Sequence, residues 1–137
     1  CRIAIDGHNP GFKVVTSDRK VNDALWEMLF EVSEPEDDLV IDTFGLIINR
    51  NHPRYSDLLE RNCRNAFFKE VLQSLLLDFM MTLKEHHPDV LDDAKRQESP
   101  ERKGTIADYV WYLTRAHSLD LSGYEGLRKT IRLIEFQ

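Results

Sequence analysis

Apolar residues recur along the chain in two rhythms, a period of two near the start and a period close to 3.6 from the middle onward. Arg2-Ile3-Ala4-Ile5 and Phe12-Lys13-Val14-Val15-Thr16 are short β-prone runs joined by Asp6-Gly7-His8-Asn9-Pro10-Gly11, a dense cluster of turn formers. A β-hairpin is expected there. Ser17 then stands where it can cap a helix, because Val21, Leu25, Met28, Leu29 and Val32 fall on one face at helical spacing. Residues 33–50 read two ways. Ser33-Glu34-Pro35-Glu36 has the form of a helix-opening capping box, whereas Leu39-Val40-Ile41 and Leu46-Ile47-Ile48 suit a buried strand. The helix is the preferred reading.

After the polar turn Asn49-Arg50-Asn51-His52-Pro53, Ser56 can cap a long helix that runs to about His86, where the nearby Pro88 favours termination. Residues 92–104 hold one Ala and no larger hydrophobe and read as a flexible loop. Thr105 and Asp108 can open the next helix. Ser122-Gly123-Tyr124-Glu125 repeats the capping-box form before Leu127, Ile131 and Ile134. The expected fold is mainly α, a helical bundle with a small N-terminal β-hairpin. The alternative is an α+β fold with residues 38–48 as a third strand.

Composition narrows the function classes. A length of 137 residues predicts a single domain, and Cys1 in place of an initiator Met predicts a piece of a longer chain. The formal charge of -6 disfavours a general grip on phosphate backbones, although a local basic site is compatible with it. No apolar run reaches the roughly 20 residues that span a bilayer, so no membrane partner is expected. Cys1 and Cys63 form neither a metal spacing nor a disulfide framework, which points to a reducing, cytoplasmic setting.

The sharpest break in the pattern lies on the long helix. Phe68, Leu72, Leu75, Leu76, Phe79 and Leu83 make one stripe, and its backward extension reaches Arg61 and Asn65. A guanidinium and an amide on a core-facing line must be paired, hydrated in a cleft, or placed where the helix leaves the core. Asp42 is a candidate acid for Arg61. The preceding turn adds donors at Arg50, His52 and Arg54, and the arginine fork suits phosphate or carboxylate. Binding candidates are therefore Arg61, Asn65, Arg50 and Arg54, with Arg61, His52 and His117 as candidates for acid-base work.

Known motifs give these residues little support. A helical ribonuclease motif would follow Arg61-Asn62 with a His four to six residues after the Arg-polar start, where Ala66, Phe67 and Phe68 stand. His86-His87 diverge on a helix, and Asp6-Gly7-His8 has little specificity, so no metal site is expected. Neither a phosphate-binding Gly-Lys-Ser/Thr loop nor a dinucleotide fingerprint occurs, and no cofactor is expected. Leu77, Met81 and Trp111 lie off the main helix stripes and are candidates for a partner interface or for self-association. The leading expectation is a helical protein-protein interaction module. An RNA- or nucleotide-directed domain built on an Arg/Asn/His cleft is the alternative.

Overall fold

The computed structural model describes residues 2–5, 8–91 and 100–134. Its backbone forms a four-stranded sheet in the order β1-β2-β4-β3, from Arg2–Ile5 (β1), His8–Ser17 (β2), Trp26–Phe30 (β3) and Phe44–Asn49 (β4). The helices are the single turn Val40–Thr43 (α1), the long Arg61–His86 (α2), Ile106–His117 (α3) and Tyr124–Arg132 (α4).

β1 and β2 pair antiparallel, as the hairpin reading expects. Residues 6 and 7, in the expected turn, and residues 92–99 of the expected loop lie outside the described residues. β4 then inserts between β2, to which it is parallel, and β3, to which it is antiparallel. A strand paired on both sides loses strict alternation and reads as a nearly continuous apolar run. Phe-Gly-Leu-Ile-Ile-Asn has that character.

The fold is therefore α+β and not a mainly α bundle, for two local reasons. Residues 18–25, expected in a helix, form a loop whose turn is held by Asp23 N donating to the Lys20 carbonyl at 3.0 Å, and Val21 is 57% exposed. Trp26-Glu27-Met28-Leu29-Phe30 is a strand because the β4 ladder and its aromatic ends outweigh a helical spacing that Leu25, Met28 and Leu29 happen to satisfy. Residues 33–50 depart in the same way. Ser33 and Glu34 donate their backbone N–H groups to the Asp38 carboxylate at 2.8 and 2.9 Å, which makes a turn in place of a helix cap. Only Val40–Thr43 is helical before β4 begins.

In register across one face of the sheet, Val14, Leu46 and Met28 form one row and Ile48 and Trp26 share another. α2 packs on this face. Val71, Leu72, Leu75, Leu76, Phe79, Met80 and Leu83 are all buried, a two-column stripe at helical spacing. Phe79 stacks on Phe44 at 4.1 Å and meets Phe30 and Tyr109 at 6.2 and 5.9 Å. At the far end His87 Nε2 donates to the Val32 carbonyl at 3.2 Å, tying the helix to the segment after β3.

Helix ends follow local chemistry. Ser56 lies in a 3-10 turn, Tyr55–Leu59, and the cap of α2 is Glu60, whose carboxylate accepts from Cys63 N at 2.7 Å. Thr105 caps α3, accepting from Asp108 N at 3.2 Å, as its sequence position predicts. Gly123, not Ser122, takes the cap position of α4, and Ser122 donates its N–H and Oγ–H to Asp120.

Candidate functional site

The stretch from Asn49 to Cys63 leads from the sheet into α2, and its polar residues are mostly committed to one another. Asn49 is 1% exposed at the end of β4. Its Oδ1 accepts from Arg19 N and Asn51 N at 3.2 and 3.0 Å, and its Nδ2 donates to the Lys20 carbonyl at 2.9 Å. Arg50 holds Asp18 through two nitrogens, at 3.0 and 2.9 Å. Arg54 Nε lies 3.3 Å from Asp57 Oδ2. Both arginines thus neutralise an acid of their own chain.

His52 is fixed by a short-range contact, because its Nδ1 accepts from the Arg54 backbone N–H at 3.0 Å. Nδ1 must be unprotonated to accept, so the neutral ring carries its proton on Nε2. His52 opens onto a groove of about 640 Å³. It is lined by Ala24, Leu25 and Trp26 at the entry to β3, by Ala66, Phe67 and Val71 on α2, and by Leu58. Arg54, Asp57, Cys63 and Glu70 complete a polar rim.

Cys63 is an exposed free thiol in the first turn of α2, where a helix N-terminus would ordinarily favour a thiolate. The cap reverses that preference. A hydrogen bond from the thiol to the Glu60 carboxylate, aided by desolvation and by the charge of that carboxylate, pushes the thiol up from its ordinary value. Glu60 itself is held low by the N–H groups of Cys63 and Asn62. The pair therefore stores a proton on sulfur and a charge on oxygen, the opposite of an activated nucleophile.

Arg61 and Asn65 are both exposed, on the first turns of α2 ahead of its buried stripe, and neither lines the groove. No ion pair joins Arg61 to Asp42 among the described residues. His117 sits at the end of α3 with its ring edge-on to Tyr112 at 6.3 Å, and it also lies outside the groove. The structure thus brings together His52 and Arg54, and leaves Arg61, Asn65 and His117 apart from them. Leu77 and Met81 are half-buried against the core. Trp111 is half-buried, with Lys103 Nζ and Arg115 Cζ at 5.7 and 5.8 Å from its ring centre. No cluster of three or more His, Cys, Asp or Glu side chains suited to a metal ion occurs among the described residues, nor any helix long and apolar enough to cross a membrane.

Trp26 and Phe67, the largest apolar walls of the groove, were not singled out by sequence pattern. The available signal is the alternation Trp26, Met28, Phe30, which assigns the segment to a strand and its aromatic side chains to one face. β3 stands at the end of the strand order, so one of its edges is unpaired among the described residues. Comparison with protein-family models, with curated proteins and with solved structures finds no match.

Proposed function

We propose that this protein is a protein-protein interaction module that takes an extended segment of a partner onto the outer edge of β3, with alternate side chains of that segment settling into the groove against α2. The observation that carries this reading is the coincidence of an open strand edge with an apolar-walled groove beside it. Strand addition draws affinity from main-chain hydrogen bonds and specificity from side-chain pockets, and both elements are side by side here. Proteins commonly blunt unused edges with Lys, Pro or a bulge. β3 contains no Lys or Pro and pairs with β4 in unbroken register. The exposed thiol of Cys63 fits a reducing, cytoplasmic setting for such a module.

An RNA- or nucleotide-directed role has weaker support. Arg50 and Arg54 already face Asp18 and Asp57, and the chain's formal charge is -6. Loss of RNA binding in Arg61→Ala would be the observation in its favour.

Selection of a displayed random-peptide library against the dilute protein tests the interaction reading. Enriched peptides should alternate apolar and polar residues. Their binding should weaken at least about tenfold, roughly 1.4 kcal/mol, in Ala66→Arg, which fills the groove from an exposed helix position, and should be unchanged in Arg61→Ala. N-methylation at alternate peptide residues should abolish it. A library that enriches nothing, or peptides that bind Ala66→Arg as well as the native chain, would end this reading.

A further inference from the structure

Resting on that reading, we infer that the segment taken up by the β3 edge is β3 of a second copy of this chain, running antiparallel about a two-fold axis at Met28. The ladder itself defines what the edge offers. Asn49 N donates to the Leu25 carbonyl and Glu31 N to the Thr43 carbonyl, each at 2.8 Å. Hydrogen bonding alternates along an antiparallel strand, so residues 25, 27, 29 and 31 bond inward to β4 and the main-chain groups of Trp26, Met28 and Phe30 point outward. No hydrogen bond within the described residues uses them.

A segment that suits this edge must present apolar residues at alternate positions on the α2 side. β3 meets its own requirement. With the axis at Met28, Trp26 lies opposite the partner's Phe30, Met28 opposite the partner's Met28, and Glu27 opposite the partner's Leu29. Aromatic pairs directly across strands are favourable contacts. The two neighbouring registers oppose like charges, which the Arg19–Glu27 ion pair of each copy, at 2.8 Å, offsets only in part. An axis at Glu27 sets that carboxylate against the partner's Glu27, and an axis at Leu29 sets Glu27 against the partner's Glu31. Like charges directly opposite destabilise a strand pair, and only the Met28 register avoids them while using all five residues of the strand.

The same symmetry disposes of the groove. A two-fold perpendicular to the sheet keeps both α2 helices on one face of a continuous sheet of twice four strands. In this register the partner's Phe30 lies opposite Trp26, the β3 residue that lines the groove, and both are half-buried.

Light scattering and sedimentation equilibrium of the native chain should show a concentration-dependent dimer. Leu29 is on the face of the sheet away from α2, so charged replacements there test register without entering the core. Leu29→Lys creates two symmetric ion pairs with Glu27 of the other copy and should tighten dimerisation, whereas Leu29→Glu should loosen it, each by about 2- to 30-fold from the size of cross-strand pair effects. Amide exchange in the native chain gives a readout free of substitutions. Protection of Trp26, Met28 and Phe30 should rise with protein concentration, while Glu27 and Leu29 are protected throughout. A chain that stays monomeric to millimolar concentration overturns the second-copy inference, and enriched peptides that still bind the edge would leave the interaction reading standing. A dimer indifferent to the sign of charge at residue 29, with no added protection at residues 26, 28 and 30, would also overturn it.

Discussion

At the scale of single residues, polarity in the 49–54 segment serves the fold before it serves any ligand. In the sequence, Asn49, Arg50, His52 and Arg54 look like a row of donors awaiting a phosphate. In the structure Asn49 is the pin that gathers two loops, with three hydrogen bonds from one buried amide. Asn49→Ala would strand two N–H groups and a carbonyl, and should cost about 1–3 kcal/mol of stability, measured by urea unfolding. Asn49→Asp keeps the acceptors but opposes the Lys20 carbonyl, so it should fall between native and Ala. If Asn49→Ala unfolds at the native urea midpoint, the pin is ornamental. The anomaly at Arg61 was legible as a break in the stripe, but sequence cannot say where a helix leaves its core. Arg61 and Asn65 lie on exposed turns ahead of the first buried residue of α2, Val71, the resolution that demands no partner.

At the scale of elements, those that declare themselves through local chemistry were legible and those made by pairing were not. α2 and α3 have long stripes, and α3 has Thr105 at its start. β3 and β4 exist because each meets the other, and five consecutive residues such as Trp26–Phe30 satisfy helical and strand spacing equally well. Gly45 is part of the reason β4 fits where it does, since a Cβ there would run into the Lys13 carbonyl on β2. The N-terminus of α3 shows how elements are then joined. Ile106 N donates to the Asp38 carbonyl and Ala107 N to the Pro35 carbonyl, while Thr105 Oγ1 takes Asp108 N and the Thr105 carbonyl takes Tyr109 N. The early N–H groups that a helix leaves without partners are therefore answered by one side chain and by the segment before α1. Thr105→Ala should cost about 1 kcal/mol, and Thr105→Ser should restore most of it, read from the thermal midpoint. Equal losses in the two variants would show that the hydroxyl is not what holds this end.

At the scale of the whole molecule, the segment from Ser33 to Asp38 links the two halves of the chain, since the Asp38 carboxylate closes the turn after β3 while its carbonyl receives α3. That carboxylate is held below its ordinary value, first by the Glu34 and Ser33 backbone N–H groups. Glu60, through the N–H groups of Cys63 and Asn62, and Asp120, through Ser122, are lowered as well. A carboxylate whose pKa is depressed on folding contributes stability that is complete above its unfolded value and is lost as pH falls through its folded value. Asp78 works in the other direction, because burial raises it and its charged form is the disfavoured one. With three groups lowered and one raised, stability should decline as pH drops below about 4, the usual range for carboxylates. Solvent screens each contribution, so the decline is a sum of modest parts. Asp38→Asn removes one of those parts and should be less stable than the native chain at pH 7, with the difference narrowing below about pH 4, where the unfolded carboxylate begins to take up protons. The check is the urea midpoint of both proteins at pH 7, 5 and 3. A gap that stays constant across that range would place the role of Asp38 in shape and hydrogen bonding alone, and a gap that closes would assign it to the charge that closes the turn after β3.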